Sequence, residues 1–204
     1  MFGGGARGFA HLGVWRGLRA RGVEINCVGG TSIGGIMAAL VAADPSCERA
    51  IDITRRAFGE NPTGDFNLLP LISLIKGDRV REAIERALSE LTGSPIDIEN
   101  LWKSYFCVAT NYSQATEQML VRGKRRYRLP SLTSYLMNIT ILYSIPRQKE
   151  ARAVTDLYFN PPLFKAGLLE WKRFDSILRQ GEQHATEVLD ALTPAQRKVL
   201  GMRD

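Results

Sequence analysis

The chain of 204 residues contains two histidines and three cysteines, and the cysteines follow no regular spacing. This pattern argues against a disulfide framework and against a zinc site, so we expect neither a metal nor another cofactor. The longest apolar run, residues 36–43, is far shorter than the roughly 18 to 20 residues that cross a bilayer. No basic-then-apolar signal segment opens the sequence, so we expect a protein of the cytoplasm or of a membrane face.

The composition is that of a single globular domain with a basic surface. The apolar content of 45% is enough for a packed core, and the formal net charge is +6. A positive surface suits an anionic partner, for which membrane phospholipid and nucleic acid are the two candidates. Because no signature of a nucleic-acid-binding fold is present, we expect no nucleic acid partner.

A strand, a glycine-rich turn and a helix follow one another near the start of the chain. Residues 25–28 predict a buried strand that leads into Gly30-Thr31-Ser32-Ile33-Gly34, which fits G-x-S-x-G. The apolar residues that follow predict a helix ending before Asp44-Pro45. This context is that of a nucleophile elbow, with the serine at its apex. On the pentapeptide alone, a glycine-rich turn with an incidental serine is the alternative.

A second glycine cluster, Gly3-Gly4-Gly5-Ala6-Arg7-Gly8, precedes a helix predicted over residues 9–20. Such a loop at a helix N-terminus exposes backbone N–H groups that bind an anion, either a phosphate or a developing oxyanion. The cluster also fits the dinucleotide fingerprint G-x-G-x-x-G. That interpretation needs a strand before the loop and an acidic residue after the next strand. Only two residues precede the loop, and Glu24 lies before its strand.

Together the two motifs resemble the patatin-like phospholipases, most closely the bacterial and neuropathy-target-esterase-like branch. The resemblance rests on Gly-Gly-Gly-Ala-Arg-Gly-Phe-Ala-His-Leu-Gly-Val followed by Val-Gly-Gly-Thr-Ser-Ile-Gly-Gly. It implies an α/β three-layer sandwich with a largely parallel central sheet, and hydrolysis of phospholipid or lysophospholipid esters by a Ser–Asp dyad. It also implies Ser32 as nucleophile and an oxyanion hole formed by residues of the first loop: Gly3, Gly4, Gly5, Ala6, Arg7 and Gly8.

The second member of the dyad is missing. In the family it lies in an Asp-Gly-Gly or Asp-Gly-Ala turn, whereas this sequence contains no Asp-Gly dipeptide. The segments before Gly123 and after Pro130 both resemble the family, so we expect one patatin-like domain over residues 1–204. We also expect a segment to be missing between about residues 123 and 130, and a clipped N-terminus. A non-catalytic module that binds lipid or a protein partner is the alternative.

The rest of the chain predicts further elements of an α/β domain. Helices are predicted over residues 46–58, 79–91, 130–152 and 168–192, the second of them capped by Asp78. Strands are predicted over residues 105–110, 117–121 and 155–162. The apolar stretch 68–75 predicts core rather than a lipid-facing surface, and the basic run 124–128 predicts a solvated surface.

Four other ionisable residues are weaker candidates for chemistry. His11 lies one turn into the first helix, where a packed and hydrogen-bonded role is expected, and His184 is expected to be solvated. Asp156 lies in a strand-like apolar segment and could replace the missing base, but it matches the family's C-terminal Asp-Leu instead. Arg7 is expected to fix the loop or meet a lipid phosphate rather than take part in the reaction.

Overall fold

The computed structural model describes residues 1, 4–65, 77–94, 96–111, 116–121, 152–153, 155–164 and 166–202. Its α-helices within these ranges are α1 (Phe9–Ala20), α2 (Ile33–Ala43), α3 (Cys47–Phe58), α4 (Asp78–Thr92), α5 (Phe174–Asp190) and α6 (Pro194–Val199). Its strands there are β1 (Cys27–Thr31), β2 (Ser104–Asn111) and β3 (Thr116–Leu120). Short 3-10 turns occupy Gly5–Gly8, Ile98–Asn100 and Trp171–Arg173.

The described strands form one sheet in the order β1-β2-β3. Strands β1 and β2 are parallel, with Gly30 opposite Cys107, and β3 pairs with β2 in the antiparallel direction. Helix α2 follows β1 directly and packs against both β1 and β2. Helices and a parallel strand pair thus occur together, which confirms the predicted α/β class.

The three helices predicted in the first third of the chain are confirmed. Helices α1 and α2 have the expected bounds. Helix α3 begins after Ser46, whose hydroxyl accepts a hydrogen bond from the N–H of Arg49 at 3.4 Å. Ile51 and Ile53 of this helix are buried as predicted, because the apolar positions share the face that packs into the core.

Helix α1 is held in place by its close approach to α5. A Cβ atom on Gly13 would lie 1.9 Å from the carbonyl oxygen of Leu178, and one on Gly181 would lie 2.2 Å from that of Ala10. Only glycine permits this separation of the two backbones. The Phe9 ring, at the start of α1, packs at 4.5 Å between centroids against Phe174 at the start of α5. The glycine loop before α1 is therefore anchored to the C-terminal part of the chain.

Several predicted boundaries are wrong. Gly77, with φ of 86°, is the N-cap of α4, and Asp78 is its first helical residue. Residues 155–162 form bends and irregular backbone instead of a strand, because Pro161 and Pro162 have no N–H for a sheet ladder. The helix predicted from residue 168 begins at Phe174, after a turn in which the Glu170 carboxylate accepts the N–H of Gly167 at 2.9 Å.

Four of the expectations concern residues outside the described ranges. These are the apolar stretch 68–75, the basic run 124–128, nearly all of the helical segment 130–152, and the junction between residues 123 and 130. The remaining strand predictions hold: β2 and β3 lie within a residue or two of the predicted bounds. Strand β1 begins two residues later than predicted and continues to Thr31.

Candidate active site

Ser32 lies at the sharp turn between β1 and α2. Its backbone has φ of 54° and ψ of −132°, and it is the one non-glycine residue with positive φ in the described part of the chain. A non-glycine residue in such a conformation costs on the order of 1–3 kcal/mol, and it persists only where the surrounding structure imposes it. The exposed serine therefore occupies the strained apex that the sequence predicts for a nucleophile elbow.

The space around Gly30 requires glycine at this position of the elbow. A Cβ atom on Gly30 would lie 2.5 Å from the carbonyl carbon of Gly34 and 2.6 Å from the carbonyl oxygen of Met1. Met1 pairs beside β1, since its ammonium group donates to the carbonyl of Gly29 at 2.7 Å and its carbonyl accepts the N–H of Thr31 at 3.2 Å. The turn is thus crowded on both sides of Ser32.

The serine begins helix α2 through its backbone carbonyl group. Its carbonyl oxygen accepts the N–H groups of Gly35 at 2.9 Å and Ile36 at 3.2 Å. Within the described residues, its hydroxyl has no hydrogen-bond partner. The hydroxyl is consequently placed at the positive end of the α2 dipole, where a developing negative charge is stabilised.

The two glycine motifs meet at the residue after the serine. A Cβ atom on Gly8 would lie 2.7 Å from Cγ2 and 2.8 Å from Cγ1 of Ile33, whose side chain is buried. The first loop therefore packs directly against the elbow. This contact places the glycine-rich loop beside the strained serine.

The N–H groups of the loop differ in whether they already have a hydrogen-bond acceptor. Gly4 has φ of 150° and Gly5 has φ of 54°, and no acceptor for either N–H is found among the described residues. The N–H of Ala6 already donates to the carbonyl of Leu168 at 2.7 Å, and that of Arg7 donates to the carbonyl of Gly4 at 3.2 Å. The N–H groups of Ala6 and Arg7 are thus engaged in this structure.

The remaining residues predicted for the oxyanion loop differ from one another in position and in contacts. Gly8 closes the 3-10 turn and opens α1, while Gly3 lies outside the described residues. A Cβ atom on Gly5 would lie 2.1 Å from the carbonyl oxygen of Leu168, so this position is closed to any side chain. The half-buried Arg7 donates from Nε to the carbonyl of Ala166 at 2.7 Å. This bond fixes the loop, which is one of the two roles expected of Arg7.

Strand β2 stabilises the elbow through a side-chain hydrogen bond to the first turn of α2. No pattern in the sequence indicated this contact. The hydroxyl of Tyr105 donates to the carbonyl of Gly35 at 3.1 Å, in the first turn of α2. Burial, with a smaller contribution from neighbouring Cys107, raises the pKa of Tyr105, so its hydroxyl stays protonated at neutral pH. Alternation along β2 puts Tyr105 and Cys107 on one face, and only the register with β1 reveals that this face meets the elbow.

The buried Asp44 and the candidate base Asp156 have other roles or positions. Asp44 is 3% exposed, and its carboxylate accepts the N–H of Ser46 at 2.6 Å and a guanidinium N–H of Arg49 at 2.5 Å. It therefore stabilises the turn between α2 and α3. Asp156 is exposed in a bend, so the strand that suggested it as a base is absent. In the ranges described above, no carboxylate contacts the Ser32 hydroxyl.

The two histidines are not paired with the serine. His11 is half-buried on α1, consistent with a packed helix residue. His184 is not merely solvated as predicted, because its Nε2 accepts the backbone N–H of Asn160 at 3.1 Å. No group of three or more His, Cys, Asp or Glu side chains able to hold a metal ion occurs among the described residues. None of the helices described above combines the length and the apolarity needed to cross a bilayer.

Comparison with known proteins agrees with this geometry. The family model described as Patatin-like phospholipase matches residues 1–145. The chain is 33% identical over 137 residues to lysophospholipase NTE1 of Mycosarcoma maydis, covering 64% of this chain and 7% of that protein. Patatin-like phospholipase domain-containing protein 6 of Mus musculus is 33% identical over 137 residues, covering 64% and 10%. An uncharacterized NTE family protein of Mycobacterium tuberculosis is 38% identical over 124 residues, covering 60% and 20%.

The chain thus spans a fifth or less of the length of these relatives. The matched region contains both glycine motifs, the strained serine between β1 and α2, and the loop packed beside it. The family model covers more than half of the sequence. The chain belongs to the patatin-like phospholipase family.

Proposed function

We propose that this chain carries a serine esterase site that cleaves carboxylic esters of phospholipids or lysophospholipids. The observation that carries the proposal is the strained backbone of Ser32 between β1 and α2, with φ of 54°. A strained serine at a strand-to-helix turn is typical of a nucleophile. The names of the relatives, a lysophospholipase and a patatin-like phospholipase among them, support lipid esters as the substrate class.

In the proposed reaction, Ser32 Oγ attacks the carbonyl carbon of the ester, and a base takes the hydroxyl proton. The bond from that carbon to the alcohol oxygen then breaks, and the leaving alcohol takes the proton. Water next attacks the acyl-enzyme, which releases the fatty acid and returns a proton to Ser32. The N–H groups of Gly4 and Gly5 stabilise the oxyanion in both steps; loss of one such donor typically costs ~2.7 to 4 kcal/mol of transition-state stabilisation.

The catalytic base is the component of this site that the sequence lacks. The family's dyad uses an aspartate in an Asp-Gly turn, and this sequence contains no such turn. We infer that residues 1–204 represent one patatin-like domain from which the segment with the aspartate, between about residues 123 and 130, is missing. For the complete domain we propose a three-layer sandwich with a largely parallel sheet, which the parallel pair of β1 and β2 and the packing of α2 support.

No carboxylate of the described residues contacts the Ser32 hydroxyl. This observation favours one other function. In that case the chain is a non-catalytic patatin-like module that binds lipid or a protein partner. Its loop and elbow would then keep their geometry for packing reasons alone. The two functions differ in the reactivity of Ser32, because only a catalytic site with a base activates the hydroxyl.

A fluorophosphonate probe tests the proposal on the complete domain, which includes the segment that we infer to be missing from residues 1–204. We expect labelling of the wild-type protein and hydrolysis of a soluble short-chain ester, with both lost in Ser32→Ala. Ser94→Ala is the matched control, since Ser94 is exposed after α4 and its variant should react like the wild type. A folded complete domain that is neither labelled nor active would establish the non-catalytic module instead.

A further inference from the structure

Two large apolar side chains project into solvent next to the segment that holds the glycine loop. Phe164 is 89% exposed and Leu169 is 52% exposed. Phe164 is the most exposed of the large apolar side chains that the structure describes. A single exposed apolar residue is common on protein surfaces. The exposure of these two side chains therefore indicates a binding surface only together with the charge beside them and their position in the fold.

The charge beside Leu169 is positive. Leu169 and the exposed Lys172 line the same pocket of about 270 Å³. Among the described residues no carboxylate pairs with Lys172, whereas Arg173 pairs with Glu170. The nearby Glu170 is already engaged: it accepts the N–H of Gly167 and a guanidinium N–H of Arg173, each at 2.9 Å. These two contacts hold the pKa of Glu170 below its usual range. The surface therefore offers a cation beside apolar side chains.

The position of the pair connects it to the candidate active site. Between Phe164 and Leu169 lie Ala166 and Leu168, whose carbonyl oxygens accept hydrogen bonds from Arg7 Nε and from the N–H of Ala6, both at 2.7 Å. The same short segment thus presents apolar side chains outward and holds the oxyanion loop inward. A surface bound by this pair would lie alongside the loop.

We propose that Phe164, Leu169 and Lys172 form the contact of this protein with an anionic phospholipid bilayer. The apolar pair enters the boundary between headgroups and acyl chains, and Lys172 meets the lipid phosphates. Charge complementarity selects this occupant, because a positive and apolar surface matches the anionic face of a bilayer. The inference rests on the proposed function only in its purpose, which is delivery of a lipid ester to Ser32; bilayer binding itself needs no serine.

Flotation with vesicles tests the contact. The probes are vesicles of phosphatidylcholine alone and vesicles with one third phosphatidylglycerol, and the proteins are wild type, Phe164→Ser/Leu169→Ser and Lys172→Gln. We expect the double variant to lose about tenfold or more of its partitioning to the mixed vesicles, because two apolar side chains no longer leave water. Lys172→Gln should lose about fivefold on the mixed vesicles and little on phosphatidylcholine alone.

Matched controls lie on α6, where Lys198 and Val199 are also exposed and Val199 is 87% exposed. Lys198→Gln and Val199→Ser should bind the mixed vesicles like the wild type, and circular dichroism checks that every variant is folded. The proposal is overturned if the wild type does not float with the mixed vesicles, or if the double variant floats as well as the wild type.

The outcome is separable from that of the esterase proposal. Ser32→Ala should float like the wild type, since its hydroxyl takes no part in the contact. If the wild type binds mixed vesicles through Phe164 and Leu169 but shows no reaction with the fluorophosphonate, the bilayer contact stands and the esterase does not. If the probe labels Ser32 and no vesicle binds, the reverse holds.

Discussion

Gly8 and Ile33 are in such close contact that a single methyl group on Gly8 would overlap the Ile33 side chain. A Cβ atom at this position would lie 2.7 Å from Cγ2 of Ile33, and Gly8 itself has an ordinary helical backbone with φ of −57°. Its requirement for glycine is therefore one of space and not of backbone conformation. Because Ile33 follows Ser32 directly, this contact transmits any shift of the loop to Ser32.

Gly8→Ala should consequently displace the loop and the elbow from each other. We expect a loss of about 1–3 kcal/mol in the free energy of unfolding, together with a loss of about tenfold or more in kcat/KM for a soluble ester. Urea denaturation and initial rates measure the two effects. Gly64→Ala is the control, because a Cβ atom there would meet first the flexible end of Arg79, at 2.9 Å.

A double-mutant cycle with Ile33→Ala isolates the contact. Ile33→Ala removes the two carbon atoms that Gly8→Ala would strike, so the double variant should lose less stability than the sum of the single variants. We expect a coupling of about 1 kcal/mol or more between the two positions. Additive losses would show that Gly8→Ala acts through some other contact.

The strain at Ser32 predicts that a serine at this position lowers the stability of the fold. Glycine adopts positive φ readily, whereas alanine suffers the same backbone strain as serine. We therefore expect Ser32→Gly to exceed Ser32→Ala by about 1 kcal/mol in the free energy of unfolding, while both variants fail to react with a fluorophosphonate. Urea denaturation of the two inactive proteins gives this difference directly, and equal stabilities would mean that the turn relaxes without the serine.

The elbow could be predicted because its requirements are local. A strand, a glycine two positions to either side of Ser32 and a helix start follow one another in sequence, and steric exclusion around Gly30 leaves few other conformations. The glycine loop could be predicted for the same reason. The site residues Ser32 and Gly8 are therefore visible in the sequence before any contact is known.

The supports of the site could not be predicted in this way. The bonds from Ala6 and Arg7 to Leu168 and Ala166 join residues about 160 positions apart, and their acceptors are backbone carbonyls that every residue has. Tyr105 reaches Gly35 only through the register of β1 and β2. Such contacts depend on tertiary packing, which no local pattern encodes.

The contact between α1 and α5 predicts that glycine-to-alanine substitutions in α1 destabilise the protein to different degrees. At Gly13 the added Cβ atom would lie 1.9 Å from a backbone oxygen of α5, whereas at Gly17 it would lie 2.9 Å from the Cβ atom of Ala185. Gly13→Ala should therefore cost about 3 kcal/mol in the free energy of unfolding and Gly17→Ala about 1 kcal/mol. Thermal and urea denaturation should rank the two variants in this order. The opposite order would mean that the helices approach each other most closely at Gly17.

The thiol of Cys47, at the start of α3, predicts a loss of stability in alkaline solution. Burial, reinforced by the adjacent Glu48, raises the pKa of Cys47 from its ordinary value of 9.0 to about 12. Between these values the unfolded chain releases the proton and the folded chain keeps it, so stability is full below pH 9 and falls as the pH rises toward 12. We expect this thiol to contribute up to about 1 kcal/mol per pH unit to the slope. Urea denaturation from about pH 8 to about pH 10.5 under reducing conditions should show a steeper fall for the wild type than for Cys47→Ala, and parallel curves would contradict the burial of this thiol.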